Sequence, residues 1–118
     1  MSVTVMQPFL AINYIIALEG IAPQDENSKG AGPLIGAISI FADMVLPRGW
    51  ALCDGQLLPI GPNVALFSII GTTYGGDGRS TFALPDLRGR VPVRPGSGPG
   101  LSSHRLGEKG GFESTTSS

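Results

Sequence analysis

The chain has 118 residues, 42% of them apolar and 14% charged, with a formal net charge of −1. That length allows one domain and one modest core, and the near-neutral charge leaves no field to recruit nucleic acid or an anionic membrane. The single cysteine, Cys53, cannot close an intrachain disulfide or build a zinc or iron–sulfur site alone, so no cofactor or metal is expected and stability has to come from packing or from neighbouring subunits.

With 18 Gly and 10 Pro between scattered β-branched runs, the composition predicts a mainly β chain of short strands joined by defined turns. The opening run, VTVMQPFLAINYIIAL, alternates: Ile12, Tyr14, Ile16 and Leu18 share one face, and Ala11, Asn13, Ile15 and Ala17 the other. Period two favours a strand over a helix, and residues 1–19 are read as an N-terminal β-strand arm. The apolar stretch Phe9 to Ala22 lacks a basic n-region, contains Asn13 and Glu19, and is shorter than the roughly 20 residues a spanning helix needs, so no membrane insertion is expected.

Residues 20–33, GIAPQDENSKGAGP, are polar and have no apolar periodicity, which marks a linker. Residues 34–118 form the expected domain. It opens with a strand, Leu34 to Ala42, in which Ile38, Ile40 and Ala42 share a face. After a PRGW turn the chain alternates again, with Trp50, Leu52 and Asp54 opposite Ala51 and Cys53, and Asp54-Gly55 reads as a tight hairpin turn returning through Leu57 and Leu58. One short helix is predicted from about Pro62 to Ile70: Pro suits its first position, Leu66, Phe67 and Ile70 line one face, and Gly71 supplies a left-handed C-cap. Beyond Gly71 come long Gly/Pro-rich loops with one short apolar segment, VPV, and a polar tail, ESTTSS, expected to fray unless something orders it. Trp50, Cys53, Leu66 and Phe67 are the candidate core, with Trp50 as a plug rather than a sugar platform and Cys53 as a buried small hydrophobe.

No catalytic residue is assigned. The only thiol and imidazole, Cys53 and His104, lie on segments with no expected pairing, and the chain is not read as an enzyme. Asp54, Asp77 and Asp86 sit in the turn contexts CDGQ, GDGR and PDLR, where an Asp caps its own turn and can pair with Arg. Asp77, Arg79, Asp86, Arg88 and Arg90 are therefore candidate structural ion pairs of the long loop. GTTYGGDGR lacks the Lys-Ser/Thr of a phosphate cradle, and no calcium-loop pattern is present.

Three motifs occur together: PRGWALCDG, ALFSIIGTTYGGDG and FALPDLRGR, followed by GPGLSSHRLGEKGG. From about Gly36 to Gly111 the chain resembles the phage tail collar domain, also found in proteins described as microcystin-dependent. The resemblance implies a small, compact β-rich module of tail fibres or appendages, usually oligomeric and working by attachment rather than catalysis. Two departures stand out. Members generally continue past the GEKGG region into a segment with a P-x-H-x-H-like motif, and here MQPFLAINYIIALEGIAP, which resembles the family's closing segment, comes before the domain instead of after it.

Burying Ile12, Tyr14, Ile16 and Leu18 at roughly 1.5–3 kcal/mol each is worth about 6–12 kcal/mol before entropy, so the arm has to dock. Phe9, Ile12, Tyr14, Ile16 and Leu18 are the candidate assembly strand. It could fold back into its own domain or fill the groove of a neighbour by donor-strand complementation; a linker of about 12 residues spans at most ~40 Å and permits either. The exchange is favoured, because the resemblance is to a family of oligomeric appendages. The expected function is a structural subunit of an extracellular appendage, filament or virion fibre whose partners are copies of itself. The alternative is a receptor-binding module with the strand in cis, its loops between Thr72 and Gly100 contacting a cell-surface carbohydrate.

Overall fold

The computed structural model describes residues 4–5, 8, 10–22, 32–95, 105–110 and 115–116. Its strands are β1 (Thr4–Val5), β2 (Asn13–Ala17), β3 (Ile38–Phe41), β4 (Trp50–Leu52), β5 (Leu57–Pro59), β6 (Thr81–Ala83) and β7 (Thr115–Thr116), with one helix between β5 and β6. The fold is mainly β, as the composition and the short alternating runs predict. No helix among the described residues is long and apolar enough to cross a membrane.

The main sheet has the order β3-β2-β4, both pairings antiparallel. β2 is thus the middle strand, and β3 and β4, neighbours in sequence, do not pair with each other. The cause lies in the residues: NYIIA places Ile15 and Ile16 on opposite faces, and a strand covered on both faces and both edges is where two such side chains are buried together. A second sheet pairs β5 with β6, and the two ends of the chain meet where Thr4 and Val5 of β1 pair with Thr116 and Thr115 of β7. The polar tail expected to fray therefore has a partner over those two residues.

The Asp54-Gly55 hairpin is not formed. β4 ends on β2 and β5 starts on β6, so the chain turns a corner from one sheet to the other. Gly55 takes φ 77° there, and Asp54 Oδ1 accepts the Gln56 N–H at 3.2 Å. The dipeptide signals a reversal, but which strand receives the returning chain is decided by pairing partners distant in sequence. By contrast the PRGW segment does turn, closed by Trp50 N–H to the Pro47 carbonyl at 3.3 Å.

Pro62 opens a 3-10 turn (Gly61–Asn63) that runs into α1 (Val64–Ile70), matching the predicted helix. Leu66 is fully buried, and Phe67, Ile69 and Ile70 pack against the core. Gly71 ends the helix by donating its N–H to the Phe67 carbonyl at 2.8 Å, but with φ 54° and ψ −140° it lies outside the left-handed helical region expected of the cap.

The core joins Ile16, Ile35, Cys53, Leu66, Phe82 and Leu84. Phe82 and Leu84, both 0% exposed, come from the segment read as loop, whereas Val91 and Val93 of VPV are 81% and 62% exposed. TFAL is itself a short period-two segment: Phe82 and Leu84 share a face and fill the space under α1, with the Phe82 ring tilted 60° against Phe67 at 5.4 Å. Trp50 is not part of this core. On a strand Trp50 and Cys53 point to opposite faces, so only one can look inward, and Cys53, 3% exposed, takes that place beside Ala51.

Candidate functional site

The arm is built into the sheet of its own chain. Register places Tyr14 opposite Ile40, Ile15 opposite Ser39 and Leu52, Ile16 opposite Ile38 and Ala51, and Ala17 opposite Trp50. Ala17 N–H reaches the Ala37 carbonyl at 2.9 Å, Leu18 N–H the Gly49 carbonyl at 2.8 Å, and Tyr14 carbonyl accepts Cys53 N–H at 2.9 Å. β2 is thereby bonded along both edges, which a middle strand requires and a surface arm does not.

Burial ranks the candidate assembly residues unequally. Ile16 is 1% exposed in the core, Tyr14 and Leu18 pack against it half-buried, and Ile12, one residue before β2, is 40% exposed. Phe9 lies outside the described residues. The other face is buried too, with Ile15 at 2% and Ala17 at 0%. Ala17 and Trp50 form a closely spaced, non-hydrogen-bonded pair, because the flanking Leu18–Gly49 bond sets the phase, so the large indole lies over a small residue. The arm's alternation marked one face that has to be covered; the cover on the second is a property of the sheet it enters.

Where the linker leaves and returns, its ends are tied together. Ile21 N–H donates to the Pro33 carbonyl at 2.8 Å, Ile35 N–H donates to the Ile21 carbonyl at 2.9 Å, and Ile21 bridges Leu34 in parallel. Gly20 sits at φ 143° with the Pro33 carbonyl where a Cβ would be. The preference for exchange rested on the resemblance to oligomeric appendages; in this chain β2 and β3 are successive antiparallel strands, and docking in cis needs no crossing of the domain.

Two aspartates hold the long loop. Asp77 Oδ1 accepts the N–H groups of Arg79, Ser80 and Thr81, each at 2.9 Å, and Oδ2 accepts the Ser80 hydroxyl at 3.1 Å. These donors hold its carboxyl well below the usual aspartate range. Arg79 contributes only its main chain, and the expected Asp77–Arg79 ion pair is absent: four local donors leave the carboxylate no demand for a guanidinium. Asp86 is the ion-pair hub. Arg88 donates Nε to Oδ1 at 2.9 Å and Nη2 to Oδ2 at 2.8 Å, while Arg90 Nη1 reaches the Asp86 carbonyl at 3.0 Å and lies 3.6 Å from Oδ2. The Arg88 fork above all pulls this carboxyl, too, below the usual range.

Asp86 also bridges Asp54, so the loop closes over the sheet corner. Cys53 lies beneath, its thiol pushed up to about 12 by burial and by the Asp54 charge; a thiol so far from the thiolate form is structural. Among the described residues no three His, Cys, Asp or Glu side chains converge as a metal group. His104 lies outside the described residues. Gly76 is the loop residue that sequence reasoning passed over: at φ 93°, a Cβ would run into Phe82 Cα, with the Thr81 carbonyl 2.7 Å away. Its signal was the Gly-Gly pair at 75–76, which marks a backbone approach too close for any side chain.

Residues 36–92 match the family model of the Phage Tail Collar Domain. The matched segment carries β3, β4, β5, β6, the helix and both aspartate-held turns, and the resemblance read from the motifs stands over those residues. β2, at residues 13–17, lies outside it. Comparison with curated proteins and with solved structures gives no match.

Proposed function

With a phage tail collar domain at residues 36–92 as the premise, we propose that the chain is a structural subunit of a phage tail fibre or a tail-like extracellular appendage, and that β2 is its connector. One observation carries this reading. The collar segment supplies β3 and β4 with no pairing between them, and the strand that fills the gap comes from outside the segment. A sheet that lacks its middle strand accepts one from any source that offers the same register.

Exchange between copies keeps every β2 contact and gives up only the linker clamp, the two hydrogen bonds between Ile21 and residues 33 and 35. At about 0.5–1.5 kcal/mol for a typical hydrogen bond, that cost is small beside the burial of Ile15, Ile16 and Ala17. A one-way exchange builds an open chain of subunits and a reciprocal one builds a closed dimer. The cis position of β2 favours one alternative, a self-closed module whose loops between Thr72 and Gly100 bind a cell-surface carbohydrate.

A disulfide across the non-hydrogen-bonded pair Tyr14–Ile40 separates these outcomes, since Cα atoms of such pairs lie about 4.5 Å apart, within disulfide range. In Tyr14→Cys/Ile40→Cys/Cys53→Ser, a ladder of covalent multimers on a non-reducing gel supports open exchange, and a dimer supports reciprocal exchange. Cross-linked monomer alone refutes exchange, and a glycan array on that monomer then tests the carbohydrate reading.

A further inference from the structure

The outer edge of β3 carries main-chain groups that no strand among the described residues uses. Because Ala17 N–H bonds the Ala37 carbonyl, the phase of the β2–β3 ladder is fixed: Ser39 and Phe41 turn their N–H and C=O groups to β2, and Ile38 and Ile40 turn theirs outward. Neither Ile38 nor Ile40 has a backbone partner among the described residues. Their side chains are 43% and 57% exposed on one face, next to Ile12 at 40%. Leu34 to Ala42 contains no charge and no proline, two of the features that ordinarily protect an edge.

We propose that this edge pairs with β3 of a second copy, antiparallel about a two-fold axis through Ser39, to give a six-stranded sheet in the order β4-β2-β3-β3-β2-β4. The register follows from the strand itself. Opposed residues must share a face, so the axis passes through a residue, and Ser39 is the choice that sets Ile38 of each copy opposite Ile40 of the other. Both are outward-bonding residues, so the two pairs make four main-chain hydrogen bonds and two Ile–Ile contacts. The nearest charge, Asp43, falls opposite residue 35 of the other copy, so no two carboxylates meet. One four-residue edge covers far less than the roughly 800 Å² per partner of a standard stable interface, so the contact is weak between free subunits and strengthens where copies are held close. It goes beyond the β2 exchange and does not depend on it, since the outer edge of β3 is the same whichever chain supplies β2.

The test uses the full chain with Ser39→Cys, Cys53 being buried. Ser39 lies on the axis in a non-hydrogen-bonded pair, so oxidation at high protein concentration is expected to give a symmetric disulfide dimer at least about ten-fold faster than Ser68→Cys, an exposed helix position. Adding Ile40→Lys, or the milder Ile38→Thr, is expected to abolish that excess while circular dichroism and Trp50 emission stay native. Equal rates for the Ser39→Cys and Ser68→Cys proteins overturn the proposal, as does cross-linking that survives both edge variants in folded protein. The Tyr14–Ile40 disulfide reports exchange separately, so failure of one reading is not failure of the other.

Discussion

Replacing Ile16 by alanine tests the docked strand most directly. Ile16 is 1% exposed and touches the cluster of Ile35, Cys53, Leu66, Phe82 and Leu84, so truncation removes its transfer energy and leaves a cavity under α1. Buried Ile→Ala changes cost about 2–5 kcal/mol, against a total of roughly 6–18 kcal/mol for a chain this long. Ile12→Ala removes a side chain already 40% exposed and outside the ladder, and is expected to cost under about 1 kcal/mol. The assay is urea unfolding followed by fluorescence of the single tryptophan, which faces Ala17 across β2–β4 and so reports on the strand itself. With a slope of about 2 kcal/mol per molar, the midpoint should fall by about 1–2.5 M for Ile16→Ala and by under about 0.5 M for Ile12→Ala. Equal losses for the two variants, or a loss below about 1 kcal/mol at Ile16, would refute the insertion of β2. A midpoint that rises with protein concentration would show that association between copies stabilises the fold.

Acid stability and a glycine pair give two further predictions. Asp77 and Asp86 have lowered native pKa values, so the unfolded chain takes up protons first; their contribution is complete above the ordinary aspartate value of 3.8 and is lost as pH falls below it. Thermal melts from pH 6 to pH 2 should show wild type losing stability most steeply below about pH 4, and Asp77→Asn less stable at pH 6 with a flatter acid limb; an unchanged acid limb would sink the donor cluster at Asp77. Gly76→Ala should prevent folding or cost more than about 1 kcal/mol, because main chain of Phe82 and Thr81 fills the Cβ position, while Gly61→Ala, with nothing within 4 Å, should be neutral or stabilising by up to about 1 kcal/mol. Similar melting curves for the two would contradict the close approach of residues 76 and 82.

Edge pairing and strand exchange would act together in an assembly. Exchange links copies through β2 and leaves the β3 edge unused, so each subunit keeps a second site for contact. A tail fibre or appendage needs such redundancy, because weak contacts repeated along an array hold where one alone does not.

Local chemistry, written in neighbouring residues, determined the strand in NYIIA, the helix between Pro62 and Gly71, the inward Cys53 and the aspartate-held turns. Tyr14, Ile16 and Leu18 were legible as an apolar face that had to be covered, and three motifs spread over residues 47–90 carried the resemblance to the phage tail collar domain, whose family model matches residues 36–92. Tertiary structure alone decided what lay across that face. Whether Asp54-Gly55 makes a hairpin or a corner depends on β2 standing beside β4, forty residues earlier in the chain or nearly so. The same placement covers Ala17 with Trp50 and keeps the indole out of the core. Phe82 and Leu84 became the centre of that core because α1 packs above them, although Phe82 sits in a three-residue strand, with Leu84 just past its end, too short for periodicity to reveal. Pattern along a chain records which side chains must leave water, and partners distant in sequence decide where they go.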